Sequence, residues 1–109
     1  MTDFIQVVTT TARRDEADRI AQTLIDQRLA ACVQIVGPIA STYRWQGRIE
    51  TSEEWQRWVK SRRDLYEQIE QAIRRVHPYE VPEILAMAVV AGSSSYLSWI
   101  EAETTGPNK

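Results

Sequence analysis

The sequence predicts an α+β fold of the ferredoxin-like kind, a β-α-β-β-α-β sandwich with helices on one face of an antiparallel sheet and a helix at the C-terminus. Three observations predict it. Extended apolar runs and helical stripes alternate in that order. The two middle strands face each other across a tight Gln46-Gly47 turn, which makes a long hairpin. A proline-bounded crossover, His77-Pro78-Tyr79-Glu80-Val81-Pro82-Glu83, joins the second helix to the last strand. No linker, repeat or low-complexity stretch divides the chain, so residues 1–109 are expected to form one domain with a frayed tail over about 104–109.

Asp3 to Thr10 contains Phe4-Ile5-Gln6-Val7-Val8-Thr9-Thr10, a β-branched run that suits a buried central strand. A helix follows from Asp15, whose carboxylate can cap free amides and oppose the positive end of the dipole. Ala17, Ile20, Ala21, Leu24 and Ile25 fall on its apolar face. Val33-Gln34-Ile35-Val36 alternates as a half-buried strand, and Gly37-Pro38 then interrupts the ladder as a bulge would. The extended pattern resumes from Ile39 to Trp45 and returns from Arg48 to Lys60.

Ser61 with Asp64 three residues on approximates a capping box for a second helix, whose stripe is Leu65, Ile69, Ala72, Ile73 and Val76. Pro78 biases His77 away from helical angles and ends that helix. Glu83 to Val90 is nearly all apolar, which predicts a strand covered on both faces. Ser93 to Ser95 can cap a last helix carrying Tyr96, Leu97, Trp99 and Ile100.

The hairpin is too long for its own domain. Arms of about 13 residues span on the order of 40 Å at ~3.3 Å per residue. A chain of ~100 residues has a radius of gyration of roughly 13 Å. A ribbon that outruns its sheet exposes unpaired backbone groups, which an identical copy can pair. Tyr43, Trp45, Trp55 and Trp58 crowd this hairpin, as aromatics do at interfaces. The plainer alternative is that Gly37-Pro38 folds the hairpin back and buries those rings locally.

Composition narrows the function classes. Thirteen basic against 15 acidic side chains leave a net charge of −2, which argues against an electrostatic nucleic-acid binder. No apolar run approaches the roughly 20 residues of a membrane span. The one cysteine, Cys32, forbids an intramolecular disulfide and favours a cytoplasmic setting. With one histidine and no nucleophile motif or phosphate-binding glycine loop, the chain does not read as an enzyme. Glu50, Glu53, Glu54 and Glu80 would supply acid–base pairs only if folding brought two of them together in a cleft. Cys32, between a helix end and a strand, reads as a small buried hydrophobe. His77 is the only imidazole available to a borderline metal, against the plainer reading of a structural histidine beside proline.

Four blocks carry a resemblance that spans nearly the whole chain: residues 29–36 (LAACVQIV), 41–49 (STYRWQGRI), 77–84 (HPYEVPEI) and 96–100 (YLSWI). In content, order and spacing they resemble the CutA family of divalent-cation tolerance proteins. The resemblance implies a ferredoxin-like subunit, a homotrimer built through the long hairpins, an architecture similar to PII-type signalling trimers, and a link to copper and other divalent metals. Any metal contact would centre on His77, with carboxylates such as Glu80 recruited in the trimer. Two positions depart from the pattern of some members: Val76 stands for a second histidine, and Thr10 or its neighbour for a cysteine. Copper is therefore expected to be a weak ligand and not an obligatory cofactor. Under the alternative reading the trimer is a small-molecule sensor or scaffold with no physiological metal. Trp45, Lys60, Tyr79 and Trp99 would then line a cleft between subunits, or Trp45 and Trp99 would simply pack the interface.

Overall fold

The structure, a computed structural model, describes residues 3–105. Its elements are β1 (Phe4–Thr11), α1 (Arg14–Asp26), β2 (Cys32–Trp45), β3 (Arg48–Arg62), α2 (Tyr66–Val76), β4 (Ile84–Ala88) and α3 (Ser94–Glu103), with a single 3₁₀ turn at Arg63–Leu65. The sheet order is β2-β3-β1-β4, and every neighbouring pair is antiparallel. This is the ferredoxin-like arrangement the sequence predicts.

The core lies between the sheet and α1 and α2. Ile5 and Val7 of β1 and Val59 of β3 pack against Ile20 and Leu24 of α1 and Ile69, Ala72 and Ile73 of α2. Helix α1 starts one residue before Asp15. The Arg13 backbone N–H donates to Glu16 Oε1 at 3.3 Å, and Asp15 is gripped by the Arg13 guanidinium at 2.8 and 2.9 Å.

The hairpin turn is built on left-handed backbone at Gln46 (φ 51°) and Gly47 (φ 79°), the geometry that follows strand twist. Gly37-Pro38 does not break β2. Val36 pairs with Gln56 and Ile39 with Glu54, so the two residues oppose Trp55 alone as a bulge. The site demands glycine, because a Cβ on Gly37 would lie 2.7 Å from the Trp55 ring. β1 reaches only as far as Trp55 along β3. Beyond it, residues 39–45 and 48–54 pair only with each other and form a free two-stranded ribbon. The ribbon stretches the molecule to 44 Å and its radius of gyration to 14.5 Å.

Three expectations are corrected. Ser61 does not cap α2: it is buried in β3 and its hydroxyl donates to the Leu29 carbonyl at 2.6 Å, while Asp64 accepts from Arg62 at 3.2 Å. The last strand is shorter than Glu83 to Val90 and is not covered on both faces, since Leu85 is 58% and Met87 40% exposed within the chain. The tail is not frayed from Thr104. That residue is fully buried, donates to the Ile100 carbonyl at 2.7 Å, and accepts from Arg62 Nε at 3.0 Å. Thr105 in turn accepts from Arg28 Nε at 2.8 Å. The rest of the expected frayed segment, 106–109, lies outside the described residues.

Strand alternation divides the sheet into two faces. Val59, Arg57 and Ser61 point toward the helices. Gln6, Val8, Trp58, Lys60, Leu85 and Met87 occupy the face that α1 and α2 leave open. Among the described residues no helix is long and apolar enough to cross a membrane.

Candidate functional site

The site forms where the ribbon leaves the sheet and the crossover loop passes beside it. Pro78 holds His77 in extended backbone (φ −80°, ψ 132°) at the end of α2, and this turns the imidazole under the loop. The ring is almost fully buried. Nδ1 accepts the Tyr79 backbone N–H at 3.1 Å, so Nε2 carries the proton and donates it to the Thr10 carbonyl at 2.7 Å. Burial pushes the imidazole pKa below its ordinary value, and the nearby Arg57 guanidinium pushes the same way. His77 is thus a neutral clamp between β1 and the crossover.

That clamp aims Tyr79. Its ring packs against His77 at 4.8 Å between centroids, and its hydroxyl donates to Glu54 Oε2 at 2.9 Å. Burial, then the Glu54 carboxylate, raise the phenol pKa above the usual range, so Tyr79 keeps its proton near neutral pH and donates it to Glu54. Glu54 is 7% exposed, on the ribbon just past the end of β1.

On the other side of the sheet, Arg57 is fully buried. Its Nε donates to the Ala17 carbonyl at 3.3 Å and Nη2 to the Thr11 hydroxyl, while Nη1 finds no partner among the described residues. Burial lowers its pKa to about 10, which leaves it charged at neutral pH.

Between ribbon and loop lies an open groove of about 690 Å³. Tyr43, Trp45 and Glu54 line one side; Tyr79, Glu80 and Glu83 line the other, with Thr10 beside them. Of the four residues expected in a ligand cleft, Trp45 and Tyr79 meet here, together with Glu80. Lys60 and Trp99 do not line it. Lys60 sits on the open face, donating to Gln6 Oε1 at 2.6 Å, and Trp99 lies on α3 with its ring 5.5 Å from that of Tyr96.

Folding also brings Glu54 and Glu80, two of the carboxylates singled out from sequence, to one groove. Tyr43, expected as an interface aromatic, and Glu83, noted only as part of the crossover, also line the groove, and Arg57 is not among the residues singled out from sequence. Strand parity, which puts Tyr43 and Trp45 on one ribbon face, is the signal that places Tyr43 in the groove.

As a metal site, one chain does not fit. Both nitrogens of His77 are engaged, Glu80 lies out in the groove, and no three His, Cys, Asp or Glu among the described residues are placed to hold an ion.

Fold and groove together define a ferredoxin-like protein with a projecting ribbon and a hairpin-base groove. The family model for the CutA1 divalent ion tolerance protein matches residues 5–103. The divalent-cation tolerance protein CutA of Thermus thermophilus is 38% identical over 100 residues, covering 91% of this chain and 97% of that protein. The chloroplastic CutA protein of Arabidopsis thaliana is 34% identical over 92% of this chain, which spans only 55% of the plant protein's length. The crystal structure of CutA from Xylella fastidiosa superposes with a TM-score of 0.91 at 36% identity, over 94% of this chain and 98% of that one. A Thermus thermophilus divalent cation tolerance protein matches with a TM-score of 0.89 at 36% identity, over 95% and 99% of the two chains. The chain belongs to the CutA family of divalent-cation tolerance proteins.

Proposed function

We propose that this chain acts as a homotrimeric, non-catalytic module in the tolerance of, or response to, divalent metal ions. One observation carries the assembly: on the sheet face opposite α1 and α2, Leu85, Met87 and Val36 are each at least 40% exposed beside a ribbon that extends past β1. An apolar sheet face next to unpaired strand edges is what another copy of the chain would cover. Relatives named for divalent-cation tolerance support the role. Copper is the ion to test, with His77 and Glu80 as its contacts. A metal at His77 would have to displace the Tyr79 or the Thr10 hydrogen bond, or draw carboxylates from neighbouring subunits.

Sedimentation equilibrium tests the assembly. A mass three times the 12.6 kDa of the chain is expected, and a lone 12.6 kDa species at micromolar concentration would refute it. Calorimetric titration with Cu(II) and Zn(II), on the parent and on His77→Ala, tests the metal. Stoichiometric binding lost in the variant supports it, and unchanged binding assigns the metal elsewhere.

The engaged nitrogens of His77 favour a second reading, in which the trimer senses a small molecule at the hairpin-base groove and needs no metal.

A further inference from the structure

The groove carries a chemical preference of its own. Three carboxylates, Glu54, Glu80 and Glu83, line it, and no lysine or arginine is among its lining residues. Acidic side chains gathered on a surface would mean little alone, but Glu54 is not a surface residue. It is 7% exposed, its Oε2 is taken by the Tyr79 hydroxyl, and its Oε1 accepts no hydrogen bond from any described residue. A largely buried carboxylate that lines the groove with one oxygen lacking a protein partner can accept a charge-assisted hydrogen bond from a ligand there.

The aromatic walls point the same way. Tyr43 and Trp45 stand on the same ribbon face as Glu54, because Ile39 pairs with Glu54 and the alternate positions 41, 43 and 45 follow. The negative faces of phenol and indole rings attract cations, most of all weakly hydrated organic ones.

A bare divalent ion does not suit this geometry. Hard cations take six or more oxygen ligands at short range, and no group of three acidic or imidazole side chains among the described residues is close enough to form such a cage. An elongated cation, by contrast, can reach carboxylates spread along a groove. The volume of about 690 Å³ falls in the range of small-molecule sites.

We propose that this groove binds a small organic amine in its ammonium form. One ammonium donates to Glu54 Oε1, the alkyl chain lies against Tyr43 and Trp45, and Glu80 and Glu83 draw further positive charge. The proposal rests on the second reading above, of a small-molecule site at the hairpin base.

Calorimetric titration of the intact assembly with spermidine tests it, with 1,4-butanediol as the uncharged control and magnesium chloride as the charge control. Spermidine should bind once per chain. Glu54→Gln should weaken it by about tenfold to a hundredfold, the loss of one charge-assisted bond. Should Glu54→Gln fail to fold, Trp45→Ala and the double variant Glu80→Gln, Glu83→Gln alter exposed positions, and each should weaken binding about tenfold. Binding that is absent, that survives all three variants, or that equimolar magnesium abolishes would overturn the proposal. A parallel titration with ATP separates the two levels. If ATP binds and Trp45→Ala weakens it while spermidine does not bind, the sensor reading stands and the amine does not.

Discussion

His77 Nε2 lies 2.7 Å from the carbonyl oxygen of Thr10, a bond that joins the end of α2 to the end of β1 across 67 positions of sequence. It is the link on which the crossover loop, Tyr79 and the groove all depend. Because the ring is neutral and buried, its folded pKa lies below the ordinary 6.5. The unfolded chain therefore takes up the proton first. The contribution is fully present above pH 6.5 and is lost progressively as pH falls through that value toward the folded pKa. Urea denaturation at pH 7.5 and 5.5 should show the parent losing more stability on acidification than His77→Gln. Equal losses would mean that the ring does not stay neutral in the fold.

The bulge tests steric exclusion separately from backbone strain. Gly37→Ala places a Cβ 2.7 Å from the Trp55 ring and 3.2 Å from the Glu54 carbonyl, and overpacking of this kind costs about 1–3 kcal/mol. Gly47→Ala meets no atom within 4 Å but must hold φ near +79°, at roughly 1–2 kcal/mol. Thermal denaturation should show both losses, with a change in tryptophan fluorescence only for Gly37→Ala.

Thr104 fastens the C-terminal helix to β3. Thr104→Val keeps the shape but removes the hydroxyl that Arg62 Nε donates to and that donates to Ile100. A loss of about 1–3 kcal/mol is expected by chemical denaturation. An unchanged midpoint would show that the second Arg62 bond, from Nη2 to the Thr104 carbonyl, suffices.

Leu85 distinguishes assembly from folding. At 58% exposure it adds little to the core of one chain, yet it stands on the open sheet face, on the edge strand β4 beside Val8. Leu85→Glu should leave the far-ultraviolet circular dichroism spectrum intact and shift the sedimenting species toward the monomer. An oligomer unaffected by the change would place the interface elsewhere.

Much of the fold was legible before the structure. Periodicity gave the strands and helices, because apolar spacing of two or 3.6 residues is dictated by which face must be buried. The turn at Gln46-Gly47 and the end of α2 at His77-Pro78 followed from glycine and proline backbone geometry. Two of the corrections share one cause. Ser61 reads locally as a cap but pairs with Leu29 in three dimensions, and Thr104 reads as a tail residue but is claimed by Arg62.

Local pattern and chain length thus determined the element order, the ribbon's excess length and the special place of the His77–Glu83 crossover. Only the tertiary structure decided that His77 spends both nitrogens on backbone partners, that Glu54 is sealed beneath Tyr79, and that Lys60 and Trp99 stand apart from the groove. The physical reason is that secondary structure answers to neighbours three or four residues away. A site answers to side chains from distant strands, whose register is set when the sheet closes.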